Sequence, residues 1–265
     1  MCELCYTTFM TWAMKRRLIV LAVIAVFVLL VLLVTGYFTV YQAPSCIDGK
    51  QNQLEEGIDC GGTCTYLCTV SQSAPSVRFA RALSPLPGRT DVIAYIDNPN
   101  RTSAAKNVPF TIELYSESNT VIARKEGVLD IPPNNTIPLF VPNFFSGSQT
   151  VAHTFVTIDA TTIKWFTAPD TQARPTIDTI ELTQDEYPRV TARVVNTTAT
   201  ALTDVHLVAT VFGVDGNALA ASATIVPHVD PQGSAPAIFT WPALFTSPVA
   251  RVEIVPLPLP LPSSL

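Results

Sequence analysis

The dominant pattern in the chain is one unbroken apolar block. From Leu18 to Val34 every residue is Leu, Ile, Val, Ala or Phe, and Thr35-Gly36-Tyr37-Phe38-Thr39-Val40-Tyr41 prolongs the run with interfacial character. At 1.5 Å per helical residue, about 20 apolar residues cross a hydrocarbon core about 30 Å thick. The block therefore predicts a transmembrane helix over residues 18–41, with the lipid bilayer as its partner. Lys15, Arg16 and Arg17 stand before it, whereas Asp48, Glu55, Glu56 and Asp59 follow it, relieved only by Lys50. By the positive-inside rule, residues 1–17 lie in the cytoplasm and 42–265 outside the cell membrane. A cleaved signal peptide would carry a shorter apolar run and small residues before the cut, and Tyr41-Gln42-Ala43 does not supply them. Met14-Lys15-Arg16-Arg17 reads as the natural start of a signal-anchor protein. On that reading Cys2 and Cys5 belong to an extension, where Cys2-x-x-Cys5 is a weak metal or redox signal without a second pair.

Beyond residue 70 the pattern changes to period two. Val205, Leu207, Ala209 and Val211 alternate with His206, Val208, Thr210 and Phe212, so one face of that stretch is wholly apolar. Val214-Asp215-Gly216-Asn217 follows as a hairpin turn, because Asp-Gly tolerates the positive φ that a tight primed turn demands. Ser118-Asn119 holds the same place in an earlier segment. The two halves of this region can be laid over each other. Asp91–Asn98 matches Arg189–Asn196, and Asn107–Tyr115 matches Asp204–Phe212. Ile131–Asn135 matches Val229–Gly233, Pro142–Ser146 matches Pro242–Thr246, and Val156–Ile158 matches Val252–Ile254. Two copies of one domain is the economical explanation. No convincing helical period appears here, and Pro, Gly and Asn separate the short strands. The expected fold is all-β: two tandem antiparallel Ig-like sandwiches over 76–168 and 173–256. Residues 69–75 read as a small-polar linker, Ala168–Gln172 as a second junction, and the alternating Pro-Leu tail over 257–265 as polyproline II.

Composition narrows the function. A net charge of -5 and a pI near 5.2 exclude the basic surface that nucleic-acid binding requires. Charged residues are only 14% and prolines number 22, which suits strands and turns better than helical bundles. Cys46, Cys60, Cys64 and Cys68 cluster just past the apolar block, and residues 69–265 hold no cysteine. An even, clustered set outside the membrane reads as two disulfides stapling a mini-module over 42–70, with a four-thiolate zinc site as the runner-up. Spacing leaves the connectivity open. Asp48, Asn52, Glu55 and Asp59 place hard oxygen donors on a Gly-containing loop between these cysteines. That is the ligand chemistry of Ca²⁺, although the spacing is not that of an EF-hand. The same groups also suit turn capping.

The segment Cys46-Ile47-Asp48-Gly49-Lys50-Gln51-Asn52 through Glu55, Asp59-Cys60-Gly61-Gly62-Thr63-Cys64 resembles a C-x-D-G-x-x-N-x-x-E-x-x-x-D-C-G-G-x-C segment of secreted prokaryotic surface proteins. In those proteins it often stands beside a membrane anchor or β-sandwich repeats. The strand, Asn, Asn/Asp-Val and strand layout resembles small immunoglobulin- or fibronectin-like domains, close to the FxLYD-type and water-stress sandwich families. That resemblance implies spacers or adhesive modules without catalytic residues.

Candidate catalytic chemistry is sparse. His153, His206 and His228 are the three histidines, and His206 falls out of phase with the apolar face of its strand. No nucleophile elbow, His-Glu-x-x-His, phosphate loop or dinucleotide fingerprint occurs. Asn100, Asn134 and Asn196 begin glycosylation sequons. The expectation is a non-enzymatic, membrane-anchored structural or adhesive surface protein that meets a protein partner at the cell surface. The competing readings are an accessory subunit of a secretion, pilus or envelope complex and a ligand-binding sensor ectodomain. Residues 1–17 leave no room for a signalling domain.

Overall fold

The computed structural model describes residues 12–40, 45–52, 54–168 and 174–257. Cys2, Cys5, Tyr41, most of the second junction and the tail beyond Leu257 lie outside the described residues. The chain divides into two compact units, one ending at Asp59 and the other beginning at Cys60. That division falls inside the span expected to be a single 42–70 module.

The first unit contains helix α1, Trp12–Val40. It starts six residues before the predicted 18, because Lys and Arg are good helix formers and helical bonding does not stop where the apolar run does. From Leu18 to Val34 the helix is apolar all round, the pattern of a helix surrounded by lipid or by protein core. Thr35 returns its hydroxyl to Val31 O at 2.8 Å and Thr39 to Thr35 O at 2.9 Å, which satisfies both polar groups within the helix.

The second unit is all-β. Its first sandwich holds β1 (Ser76–Leu86), β2 (Arg89–Asn98), β3 (Ser103–Tyr115), β4 (Val121–Ile131), β5 (Asn135–Ser146), β6 (His153–Ile158) and β7 (Trp165–Thr167). The second holds β8 (Thr176–Thr183), β9 (Arg189–Val195), β10 (Leu202–Gly213), β11 (Ala218–Val229), β12 (Ser234–Thr240) and β13 (Val249–Pro256). Sheet order is β1-β2-β5 and β4-β3-β6 in the first, with β7 added to β3, and β8-β9-β12 and β11-β10-β13 in the second. Apart from β7 the two orders are the same, strand for strand, and every pairing is antiparallel.

The correspondence reaches individual residues. Asn107 and Asp204 both sit at φ +51, and Pro138 and Pro236 occupy equivalent places on the edge strands β5 and β12, where a missing N–H costs no ladder bond. Asn98 donates its amide to Ser103 O and Pro132 O, and Asn196 does the same to Thr200 O, Val229 O and Asp230 O. One overlay shifts. Phe110 pairs with Ile158 whereas Leu207 pairs with Pro256, so the register counterpart of Ile158 is Pro256 rather than Ile254. A shift of two leaves every side chain on its original face.

Each sandwich has its own core. Val92, Phe110, Ile112 and Leu114 fill one end of the first, and Ile96, Ile131, Ile137 and Trp165 the other. Val190, Val194, Leu207, Val211, Phe239 and Trp241 fill the second. A further apolar cluster joins them: Leu83, Ile93 and Tyr95 from sheet β1-β2-β5 pack on Val208, Phe212, Ala218 and Ala221 from sheet β11-β10-β13. The four sheets therefore stack as β4-β3-β6, β1-β2-β5, β11-β10-β13, β8-β9-β12. The second face of β10, carrying Val208 and Phe212, closes on the first sandwich.

Candidate functional site

The acidic loop in the first unit is held by its own side chains. The Asp59 carboxylate, on a residue at φ +55, accepts the N–H of Asp48 at 2.9 Å and that of Gly49 at 3.2 and 2.9 Å. Asp48 caps the Lys50 N–H at 2.9 Å and takes the Asn52 amide at 3.0 Å. Glu55, 8% exposed, accepts the Asn52 N–H at 3.2 Å. The four residues predicted as calcium ligands thus form one network in which carboxylate oxygens meet N–H donors, the arrangement of turn caps. Calcium ligation here would require those oxygens to exchange their donors for the cation. Asn52 Oδ1 is buried and accepts no hydrogen bond from a described residue.

In the second unit, Cys60 and Cys68 form a disulfide and Cys64 is disulfide-bonded, as is Cys46 of the first unit. Gly61 and Gly62, at φ +74 and +59, turn the chain so that Gly61 N–H reaches Tyr66 O at 2.8 Å. Such a pair of left-handed positions favours glycine. Leu67 donates to Trp165 O at 2.8 Å, packs on the first core, and is followed by Cys68 at 3% exposure. The supposed linker then continues along the sandwich. Thr69–Ser71 make a 3₁₀ turn, Ser103 donates to Gln72 at 2.5 Å, and Ser73 exchanges two hydrogen bonds with Asn100 at 2.9 and 2.7 Å. Composition alone cannot separate a free polar linker from a docked one, because the same Thr, Ser and Gln groups that solvate a loop also satisfy edge carbonyls.

The seam between the sandwiches holds a polar bond inside an apolar surround. Tyr95 donates its hydroxyl to Thr210 Oγ1 at 3.0 Å, and Thr210 is fully buried. Phe79 stacks on Tyr95 at 4.9 Å, Phe212 meets both rings edge-on, and the Arg251 guanidinium lies 3.8 Å from the Phe212 ring. Burial pushes the Tyr95 hydroxyl up to about 12, against the lowering pull of the Thr210 bond.

Along the same seam runs an open cavity of about 560 Å³ walled by both sandwiches. On its wall Arg89 grips Asp91 through Nε at 3.0 Å and Nη2 at 3.1 Å, and the Asn143 N–H adds a third bond to Asp91 at 2.8 Å. Asp91 is only 3% exposed, whereas Tyr187 at the rim is 64% exposed. Sequence reasoning missed this group because Arg89, Asp91 and Tyr187 look there like ordinary turn residues. The available signal was β10, whose second face is half apolar and so asks for cover.

The histidines do not converge: His153 opens β6, His206 is exposed on β10, and His228 pairs at 3.1 Å with Asp230 at the end of β11. Of the sequons, Asn196 is 1% exposed with its amide fully engaged, Asn100 is tied to Ser73, and Asn134 is exposed.

A scan against protein-family models and a search among curated proteins each found no match. Among solved structures the chain is similar to the transglutaminase of red sea bream, at 12% identity and a TM-score of 0.21. That alignment covers 69% of this chain and 29% of that protein, and at this level the likeness carries no argument.

Proposed function

We propose that the protein is a single-pass, membrane-anchored surface protein, not an enzyme, whose two stacked sandwiches form a structural or adhesive head outside the membrane. The observation that carries this reading is α1. Within Trp12–Thr39 the most apolar 18-residue window has a mean hydropathy of 3.5, and none of that window is buried. Lys15, Arg16 and Arg17 at its start and the acidic loop after it support the N-terminus inside and the sandwiches outside. Disulfides in residues 46–68 suit the same side, since they persist in oxidising compartments. The shared strand order and the paired Asn98 and Asn196 support reading the sandwiches as two copies of one unit.

Protease added to intact cells or spheroplasts should remove the β-rich region and leave a membrane-embedded fragment containing α1. Full protection of both sandwiches would reverse the topology and end this reading. Crosslinking on intact membranes separates the two variants of the role, because a partner at fixed stoichiometry marks an accessory subunit of an envelope complex.

A further inference from the structure

We infer that the seam cavity is a binding site for a neutral saccharide, the ligand through which the adhesive head would hold its target. Three observations converge on that chemistry. Arg89 and Asp91 compensate each other's charge, so the wall favours neither a free anion nor a free cation. The pair still has spare N–H groups at Arg89 Nη1 and one spare carboxylate lone pair at Asp91 Oδ2, because the bonds described above use Nε, Nη2, both lone pairs of Oδ1 and one of Oδ2. Fixed donors and acceptors side by side match vicinal hydroxyls, which both accept and donate.

The rest of the lining mixes apolar side chains with the hydroxyls of Ser222 and Thr240. Phe140, Pro142 and Pro242 wall the cavity beside the exposed ring of Tyr187. A sugar ring offers C–H faces to such surfaces and hydroxyls at its edge, the mixture that small-ligand sites read with few polar groups on an apolar wall. About 560 Å³ is room for one or two sugar units. The site also sits where ligand pockets recur, between two domains.

This inference rests on the adhesive reading, and its test is independent of topology. The full chain, purified in a non-glycosidic detergent, is applied to an array of neutral hexose and N-acetylhexosamine oligomers. Retained oligomers are then titrated against the parent, Tyr187→Ala and Arg89→Lys. Binding that falls at least about tenfold in Tyr187→Ala, with an unchanged melting temperature, supports the site. Weakening in Arg89→Lys, which keeps the charge and loses the fork geometry, supports the role of the pair. Failure to retain any neutral oligomer, or binding indifferent to both substitutions, overturns the inference while leaving the protease result untouched. So does preference for a proline-rich peptide such as LPLPLPSSL, which would make the cavity a peptide groove.

Discussion

Tyr95 and Thr210 belong to different sandwiches, and each satisfies the other's hydroxyl where water does not reach. Losing one partner of a buried bond costs more than losing both. Tyr95→Phe should therefore destabilise the chain by about 1–3 kcal/mol in denaturant unfolding, and adding Thr210→Val should return most of that loss. The same tyrosine sets an alkaline limit. Its pKa in the folded state stands at about 12 against 10.0 ordinarily. A neutral acid whose pKa rises on folding contributes stability that is complete below the unfolded value and is lost as pH climbs through the folded one. Stability should thus fall between about pH 10 and 12, and Tyr95→Phe should flatten that part of the profile. Residue identity made neither effect visible beforehand. Tyr95 and Thr210 both fall on strands that alternation located, but a sequence does not say which hydroxyl faces which.

At the scale of elements, turn chemistry was the most legible feature. Asp215-Gly216 closes β10 to β11 with Gly216 at φ +78 and Asp215 accepting the Asn217 N–H at 3.0 Å, and Asn119 turns β3 into β4 at φ +57. Both turns stand where the Gly and Asn positions indicated, because positive φ is a local demand met by few residue types, but Asp215 and Ser118 are not at positive φ, so neither is the primed turn that Asp-Gly suggested. Cross-strand packing is different. Gly127 on β4 lies beneath the ring of Phe110, and a Cβ there would meet that ring at 2.5 Å. Gly127→Ala should force the buried Phe110 off its place and cost about 1–3 kcal/mol in thermal or denaturant unfolding, although alanine suits a strand better than glycine. The docking of Thr69–Ser73 along the first sandwich belongs to the same class: it depends on the Asn100 side-chain amide, the Ser103 hydroxyl and the Ile163 carbonyl, all distant in sequence.

For the whole molecule, the seam makes the sandwiches one body. Unfolding of the β-rich region should appear as a single calorimetric transition. Phe212→Ala should remove about 3–5 kcal/mol of packing and split that transition in two, as the sandwiches lose their common cluster. The outer faces of the stack are more polar than the seam. Thr111, Glu113, Arg124 and Glu126 stand on sheet β4-β3-β6 where, by register, sheet β11-β10-β13 carries Val208, Thr210, Ala221 and Ala223. At the other end Thr191 and Arg193 replace Ile93 and Tyr95. Desolvating such charges against a further sheet would cost more than it does for the apolar residues of the seam.

The sequence by itself determined the membrane-length helix, the all-β character of the rest, the two hairpin turns and the apolar face of each strand that became a core. These are consequences of period and of backbone conformation, which act over a few residues. Tertiary structure alone decided that β10 is covered on both sides, that Arg89, Asp91 and Tyr187 border one cavity, that the polar linker is docked, and that the acidic loop turns its carboxylates onto its own N–H groups. Each of those outcomes depends on which distant groups arrive opposite one another, and a one-dimensional alternation of apolar and polar residues carries a face but not the identity of what meets it.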